Sequence, residues 1–483
     1  MPIQAISFGK KALAPALLVV ANRWNRSTSA CCLPWEILEI IFSMRALEGD
    51  LIRASHVCRR WRDVITSSAR LWTVFQCRHL DLTQLQLARL TSTPISLVVD
   101  HRSDIRIVEA LKPLTGRYRS ITLRLSQWHL DKFLPLLTTP APALEHLEIS
   151  VIGCRDLNYI PETFLGGSVG PTLKSLHLCG VNGLKGISKF PSLTHLTLVA
   201  TSGCMVTEEL LDVFKSAMLL EEVSVKFSSS IFFMAKTQDV VRHPRIRKLS
   251  ISNTFGKFPE RLLFFLEMPS VEEINLDISL NVRDSRAIRD ILPPQLRTFP
   301  HLLKATDLKL DFSPPGCMIK FGGPGGTVSV RAFQHDDHRK LDDLLQRSRW
   351  LSTLEPMLIA DVERLTLRGF HSEESVDQLL TCGLLGIVEG VRSLIVEECN
   401  HENVIATLFS LEGGSPLFPH LESLTFRQHY EIFYELSDTI LANRCQALSP
   451  LIDIRYETLH RSPRHPPIFR PSVPGGYPEK ATF

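Results

Sequence analysis

The sequence lacks the features that mark several classes of protein. Nowhere in its 483 residues does a run reach the roughly 18 apolar residues that a membrane-spanning helix needs. Its 54 basic residues nearly balance its 51 acidic ones, and a net charge of +3 is too small to indicate nucleic acid or a membrane as a partner. The 11 cysteines are scattered without any Cys-x-x-Cys spacing, so neither a zinc module nor a disulfide framework is expected. Reduced thiols of this kind favour a protein of the cytoplasm or the nucleus.

Motifs for catalysis are also missing. The glycine-rich residues 322–326 lack the GxxxxGK[ST] arrangement that binds phosphates, so this stretch predicts a turn. Residues 335–338 offer four metal-capable side chains, but neighbours on a strand point to opposite faces and can hardly converge on one ion. Cys399 and His401 are near neighbours in sequence, which are rarely oriented as a nucleophile and its base, and no third member is evident. The sequence therefore predicts a protein that is not an enzyme and has no cofactor and no metal.

Residues 1–28 carry no amphipathic pattern and are predicted to be a flexible leader. Lys10 and Lys11 precede the apolar stretch ALAPALLVVA, which has the charge and the apolar core of a secretory or organelle-targeting signal. Both interpretations stay open, although the cysteine pattern argues against secretion.

The next stretch, residues 29–80, has the pattern of short helices. A first helix is predicted from Leu33, with Pro34 in the first helical position, where its missing N–H costs nothing. A second helix is predicted to begin at Leu51 with Asp50 as its cap. The apolar stripe of the first helix consists of Ile37, Leu38, Ile41 and Phe42.

A further stripe in this stretch is formed by Val57, Trp61 and Ile65, which are spaced by four. Two or three short helices cannot bury that much apolar surface among themselves. Some of it therefore needs a partner outside the segment. That partner is either another protein or the rest of this chain, and periodicity alone does not decide between them.

The residues from Leu33 to Trp72 resemble the F-box. The family pattern opens with Leu-Pro-x-Glu and an Ile/Leu-Leu pair, continues through Ile-Phe and Val-Cys-Arg-x-Trp, and closes with Leu-Trp. It is matched by Leu33, Pro34, Glu36, Ile37, Leu38, Ile41, Phe42, Val57, Cys58, Arg59, Trp61, Leu71 and Trp72. The link from Phe42 to Asp50 is slightly longer than the pattern. The resemblance implies a small all-α F-box that binds the Skp adaptor of a cullin-RING ubiquitin ligase, and through it a cullin. It implies that the adaptor is bound by Leu33, Pro34, Ile37, Leu38, Ile41, Val57, Cys58 and Trp61.

From about residue 90 a second pattern begins, in which the motif apolar-x-x-apolar-x-apolar recurs. The motif starts at residues 144, 173, 193, 220, 246, 271, 305, 362, 391 and 421. Helix-like stretches lie between them at 208–219, 259–267, 283–292, 376–385 and 430–442. A unit of one strand and one helix cannot bury its apolar face alone, so neighbouring units are expected to stack into a curved parallel sheet.

The spacing of these motifs resembles that of leucine-rich repeats in a long, irregular form. The resemblance implies an α/β fold in which the F-box precedes a leucine-rich-repeat solenoid with a curved parallel sheet over residues 90–460. A generic parallel α/β domain is the alternative. A divergent insertion with two short strands is predicted at about 313–340. Residues 461–483 are predicted to be a disordered, proline-rich tail.

The polar positions of the predicted strands are the candidates for binding a partner. In the motif, the residues that flank the second and third apolar positions share one face of the sheet, which is predicted to be concave. The candidate substrate-binding residues on it are Lys248, Glu273, Asn275, Asp277, Asp307, Lys309, Asp311, Arg364, Arg368 and Arg427. Their mixed charges would suit a protein of complementary charge order, and ordinary solubilising charge is the alternative. The resemblance thus implies the substrate-recognition subunit of an SCF-type ubiquitin ligase, with an unknown protein substrate. The alternative is a scaffold for protein assembly outside a ligase.

Overall fold

A computed structural model describes two compact units of the chain. The first unit consists of Met1–Leu303 with Gly325–His338, and the second of Lys304–Pro324 with Arg339–Phe483. The residues described are 33–44, 48–77, 80–90, 92–152, 163–167, 172–181, 187–200, 207–227, 240–253, 262–263, 265–280, 305–311, 316–334, 362–369, 390–399, 418–429 and 452–459.

The described part of the first unit opens with short helices, as the sequence predicts. They are α1 (Trp35–Ser43), α2 (Glu48–Ser55), α3 (Arg59–Ser67) and a 3-10 turn at Ala69–Trp72. Pro34 takes the cap position before α1 instead of the first helical position. The predicted start of the second helix is wrong, because α2 begins before Asp50 and that residue therefore cannot cap it. Val57 was expected to continue the stripe of Trp61, but it lies outside α3 and is exposed.

The core of this helical segment combines residues from all four elements. It consists of Leu38, Phe42, Leu51, Val64, Ile65, Leu71 and Trp72. The Trp72 indole N–H donates a hydrogen bond of 2.6 Å to the Ile65 carbonyl, so this buried polar atom is satisfied. The chain enters its first strand directly after Trp72, which fixes the helices at the start of the sheet.

A parallel sheet forms most of the described remainder of the first unit. Its strands are β1 (Val74–Gln76), β2 (Ile95–Asp100), β3 (Tyr118–Ser126), β4 (His146–Ile152), β5 (Ser175–Cys179), β6 (His195–Ala200), β7 (Glu222–Phe227), β9 (Lys248–Asn253), β11 (Glu273–Leu280) and β14 (Gly326–Gln334). They lie side by side in that order, and each pair of neighbours runs parallel.

The register of the sheet follows the sequence motif. The second apolar position of one motif pairs with the same position of the next, as Leu147 with Leu176 and Leu176 with Leu196. These leucines are all buried, whereas the alternating polar positions are half-buried or exposed. The motif therefore produces one apolar and one polar face.

Helices and short turns connect the strands of the first unit. The helices are α4 (Leu80–Arg89), α5 (Ile107–Leu111), α6 (Gln127–Leu137) and α7 (Thr207–Ser216). The helix predicted at 208–219 is confirmed as α7, whose Leu210, Val213 and Phe214 are buried. The helix predicted at 259–267 is wrong at its end, because Leu266–Glu267 forms β10, which pairs with β8 (Val241–Arg242).

The second unit contains a mixed sheet. Its strands are β12 (Asp307–Asp311), β13 (Gly316–Gly323), β15 (Arg364–Arg368), β16 (Ser393–Glu397), β17 (Ser423–His429) and β18 (Asp453–Leu459). Strand β13 runs antiparallel to β12. On the other side of β12, the strands β15, β16, β17 and β18 follow in that order, and each pair of neighbours runs parallel. Two strands are thus confirmed in the insertion predicted at 313–340, one in each unit.

The mixed α/β class and a large, mostly parallel sheet are confirmed. Several predictions lie outside the described residues: the leader at 1–28, the helices at 283–292, 376–385 and 430–442, the metal-capable stretch at 335–338, and the tail at 461–483. Among the helices that the structure describes, none combines the length and the apolar character needed to cross a membrane.

Candidate functional site

Helix α1 is apolar on two faces, and only one of them is covered. Leu38 and Phe42, one turn apart, are 1% and 5% exposed in the helical core. On the other side, Ile37, Ile40 and Ile41 are 42%, 51% and 42% exposed. A surface helix normally carries a single apolar stripe, which faces the core. The outer face of α1 therefore has the composition of a surface that binds another molecule.

Helix α3 holds α1 in place. Trp61 packs its ring edge-on against Phe42, with ring centroids 5.1 Å apart. Arg60 donates a hydrogen bond of 2.5 Å to the Leu33 carbonyl, which ties the start of α1 to α3. The Cys58 sulfur caps α3 by accepting a hydrogen bond of 3.4 Å from the Trp61 backbone N–H. These contacts fix the direction in which the outer face of α1 points.

The predicted adaptor-binding residues divide into an exposed and an inner set. Pro34, Ile37, Ile41 and Val57 are exposed, and Ile37 and Ile41 are four residues apart on one helix face. Leu38 and Cys58 are buried, whereas Leu33 and Trp61 are half-buried. The exposed residues can contact a bound partner, and the buried and half-buried ones hold them in position.

Two exposed apolar residues of this face, Ile40 and Met44, were not among the predicted residues. Met44, 77% exposed, extends the row that begins at Ile37 and passes through Ile40 and Ile41. The spacing i, i+3, i+4 and i+7 was present in the sequence and could have identified it. Neither Ile40 nor Met44 is among the positions that match the family pattern.

Comparison with known families concerns this same segment. Residues 30–78 match the F-box-like family model. The match includes α1, α2 and α3 and ends just after β1, so it contains the exposed apolar face and its support. No curated protein matches the chain.

The predicted substrate-binding residues of the first unit lie together on the polar face of β9 and β11. The Lys248 ammonium is 3.0 Å from the Glu273 carboxylate, and this hydrogen-bonded partner raises the pKa of Lys248. Asn275 donates a hydrogen bond of 2.7 Å to Glu273, and Ser252 donates one of 3.0 Å to Asp277. The four predicted residues, Lys248, Glu273, Asn275 and Asp277, therefore all make contacts within the sheet.

In the second unit, the polar face carries one row of charges that alternate in sign from strand to strand. We call this the charged row; it consists of Asp311, Arg368, Glu397, Arg427 and Glu457, aligned by the register of β12, β15, β16, β17 and β18. Arg427 donates to Glu397 at 3.1 Å and to Glu457 at 2.7 Å. Opposite charges in direct cross-strand positions attract, so the row stabilises the sheet.

Other predicted residues extend these contacts. Lys309 reaches across one strand to Glu397, with a nitrogen-to-oxygen distance of 2.8 Å. Arg364 lies 2.8 Å from Asp307, and Arg368 lies 2.8 Å from Glu398 and 3.5 Å from Asp311. Every predicted substrate-binding residue in the second unit is therefore in an ion pair.

Glu397 is the centre of this network. It is only 8% exposed, and burial disfavours its charged form. Hydrogen bonds from Lys309 and Arg427 outweigh the effect of burial and lower the pKa of Glu397. Two charged members of the network, Glu398 and Glu457, were missed in the sequence. Glu457 lies in β18, whose motif is less regular, and Glu398 lies beyond the end of β16 with a positive φ of 50°.

Metal-capable and titratable side chains also occur outside these two surfaces. Within the described residues, no group of three or more His, Cys, Asp or Glu side chains is placed to hold a metal ion. Cys399 is buried, with its sulfur 3.1 Å from the Glu397 carbonyl. His243 is buried too; its Nε2 lies 3.0 Å from the Ala217 carbonyl, whereas Nδ1 has no partner.

Proposed function

We propose that the protein is the substrate-recognition subunit of an SCF-type cullin-RING ubiquitin ligase. The observation that carries this proposal is the uncovered apolar face of α1 within the segment that matches the F-box-like family. F-box domains bind the Skp adaptor, and an apolar helix face of this kind buries well in a groove on a partner. The adaptor would link the chain to a cullin.

In this proposal the exposed residues of α1 make the contact and the buried ones position it. Ile37, Ile40, Ile41 and Met44 enter the adaptor interface, and Pro34 and Val57 lie at its border. Full burial of an aliphatic side chain contributes about 1.5–3 kcal/mol, so covering the exposed half of one of these isoleucines contributes about 1 kcal/mol. Leu38 and Cys58 act through the packing of α1 against α3.

The parallel sheets form the recognition part. We propose that their recurring motifs are irregular leucine-rich repeats in a solenoid, supported by the parallel pairing and the shared register of the motifs. Their polar faces would hold a protein substrate. The chain itself performs no chemistry, because ubiquitin transfer belongs to other subunits, and it would work in the cytoplasm or the nucleus.

The deciding experiment is capture of the purified Skp adaptor and a cullin by the full chain. Ile37→Ala combined with Ile41→Ala should weaken adaptor binding about tenfold or more, since both side chains lose buried area. Trp128→Ala is the matched control, because Trp128 is an exposed apolar residue (83%) on α6, outside the matched segment. It should bind the adaptor as the wild type does.

Two results would count against the proposal. If the wild type binds neither the adaptor nor the cullin, the ligase function is wrong. If it binds the adaptor but recruits no cullin, the second candidate, a scaffold for protein assembly, replaces it. The scaffold is favoured by one observation: the predicted substrate-binding charges of the second unit already pair with each other.

A further inference from the structure

A groove of about 500 Å³ lies in the first unit, at the edge of the sheet where β7, β9, β11 and β14 begin. Two turns before the strands form its walls. One contains Pro244 and Arg245, and the other Pro269 and Ser270. Arg247 lies between Glu221 and Glu272 in the same groove.

The backbone around this groove is held by a continuous set of hydrogen bonds. The Arg247 N–H donates to the Glu221 carbonyl at 2.8 Å, and the Glu272 N–H donates to the Arg247 carbonyl at 2.7 Å. The Thr327 N–H donates in turn to the Glu272 carbonyl at 2.7 Å. Gly326 allows this close approach, because its φ is +140° and a Cβ there would lie 2.2 Å from the Glu272 oxygen. The groove is therefore formed before any ligand arrives.

The donors in the groove are unused. In the described part of the chain, the side chains of Arg245, Arg247 and Ser270 have no ion-pair or hydrogen-bond partner. Two charged residues at the same edge position in other strands, Glu145 and Arg392, do pair. Glu145 has Arg119 at 3.4 Å and Lys174 at 3.3 Å, and Arg392 has Glu422 at 3.2 Å. The groove differs from these positions in keeping two guanidinium groups available.

We propose that this groove binds an anionic side chain of a polypeptide, a carboxylate or a phosphoryl group, held by Arg245, Arg247 and Ser270. Two guanidinium groups and a hydroxyl supply several donors for an oxyanion. Glu221 and Glu272 also line the groove and balance its charge. They disfavour a small free anion and favour a peptide that carries basic residues beside its anionic one. The site is separate from the α1 face and does not depend on adaptor binding.

The site can be tested by measuring the binding of four fluorescein-labelled peptides to the full chain by fluorescence anisotropy. The peptides share one sequence of glycine and alanine and differ only at three central positions. Their central residue is serine, glutamate or phosphoserine between two lysines, and the fourth has phosphoserine between two alanines. We expect the phosphoserine or the glutamate peptide to bind with higher affinity than the serine peptide. A large preference for phosphoserine identifies a phosphoryl group, and equal binding identifies a general anion. The phosphoserine peptide with two alanines should bind more weakly than the one with two lysines, because the lysines can pair with Glu221 and Glu272.

Variants tie the binding to the groove. The double variant Arg245→Ala with Arg247→Ala should weaken binding of the preferred peptide at least tenfold. The double variant Arg245→Gln with Arg247→Gln removes the charges but keeps long polar side chains, and it should weaken binding to the same extent. Arg242→Ala is the matched control, because Arg242 is an exposed arginine two residues before the groove wall, and it should change the affinity less than twofold. Equal binding of all four peptides, or unchanged binding by both double variants, would overturn the proposal. Adaptor capture by the same variants should stay intact, which separates this test from that of the proposed function.

Discussion

Helix α1 and the charged row of the second unit leave very different surfaces to the solvent. On α1, Ile37, Ile40 and Ile41 expose about half of their area. In the charged row, Glu397 and Arg427 satisfy each other and their neighbours. The apolar face stays half exposed, whereas the charges of the second unit are already paired with each other.

This difference indicates which of the two surfaces offers a binding partner the larger gain in free energy. Covering α1 removes apolar area from water without breaking an existing contact. A partner that covers the charged row must compete with ion pairs already made, and charge complementarity of that kind contributes more to specificity than to affinity. The four predictions that follow test this comparison, from the largest expected effect to the smallest.

Phe42→Ala should destabilise the protein most, since it empties a filled position between α1 and Trp61. The expected loss is about 3–5 kcal/mol of unfolding free energy, measured by urea unfolding. Ile41→Ala, its neighbour on the exposed face, is the control and should cost less than about 1 kcal/mol. Equal losses for the two variants would mean that α1 does not have one covered and one open face.

Glu397→Ala should have the next largest effect, because Lys309 and Arg427 both lose their shared acceptor. We expect a loss of about 1–3 kcal/mol of unfolding free energy. Arg455→Ala removes a well-exposed ion pair with Asp453 and should cost less than about 1 kcal/mol. If Glu397→Ala were as mild as this control, the charged row would not stabilise the second unit.

His243 makes the first unit sensitive to acid. Burial lowers the pKa of His243 below its ordinary value of 6.5, and the hydrogen bond to Ala217 only partly opposes this. The unfolded chain therefore binds a proton at a higher pH than the folded chain does. The stability should be complete above pH 6.5 and should fall as the pH drops from 6.5 towards the folded pKa. His243→Phe should show a weaker fall in urea unfolding between pH 7.5 and 5.5, and an unchanged slope would contradict the assignment.

Lys248→Ala should have the smallest effect. Its ion pair with Glu273 is exposed, so the expected loss is about 0.5 kcal/mol or less and should vanish at about 1 M salt, where such pairs are screened. Thermal unfolding at low and high salt measures this. A loss of several kcal/mol would show that the polar face of the first unit depends on its charges as the second unit does.

The strands could be predicted from the sequence because the motif ties burial to spacing. Leu147, Leu176 and Leu196 recur at the same position of the motif, and a period of two assigns them all to one face. The helices between strands were harder to place. Leu266–Glu267 ends a stretch with a helical pattern but forms a strand, since pairing with Val241–Arg242 decides its structure.

The candidate sites could be predicted only in part. The position of Ile37 and Ile41 on an open helix face follows from their spacing and the resemblance. The partners of Lys309 do not, because Glu397 is 88 residues away and on a strand two positions across the sheet. The groove at Arg245 and Arg247 was not predicted at all, since it depends on which turns lie side by side.

The shared register also governs how the length of this chain can change. Glu397 and Arg427 face each other because the polar positions of their strands keep the same parity, although the sequence separation of residues paired in parallel ranges from 20 at Ser175 and His195 to 57 at Asp307 and Arg364. Insertions and deletions in the connections leave this parity unchanged. One residue inserted inside a strand would invert it and expose the buried leucines unless a bulge absorbs it, as at the register shift between β2 and β3. Insertions and deletions in related sequences should therefore fall in the connections and at such bulges, and the strands should otherwise change by substitution.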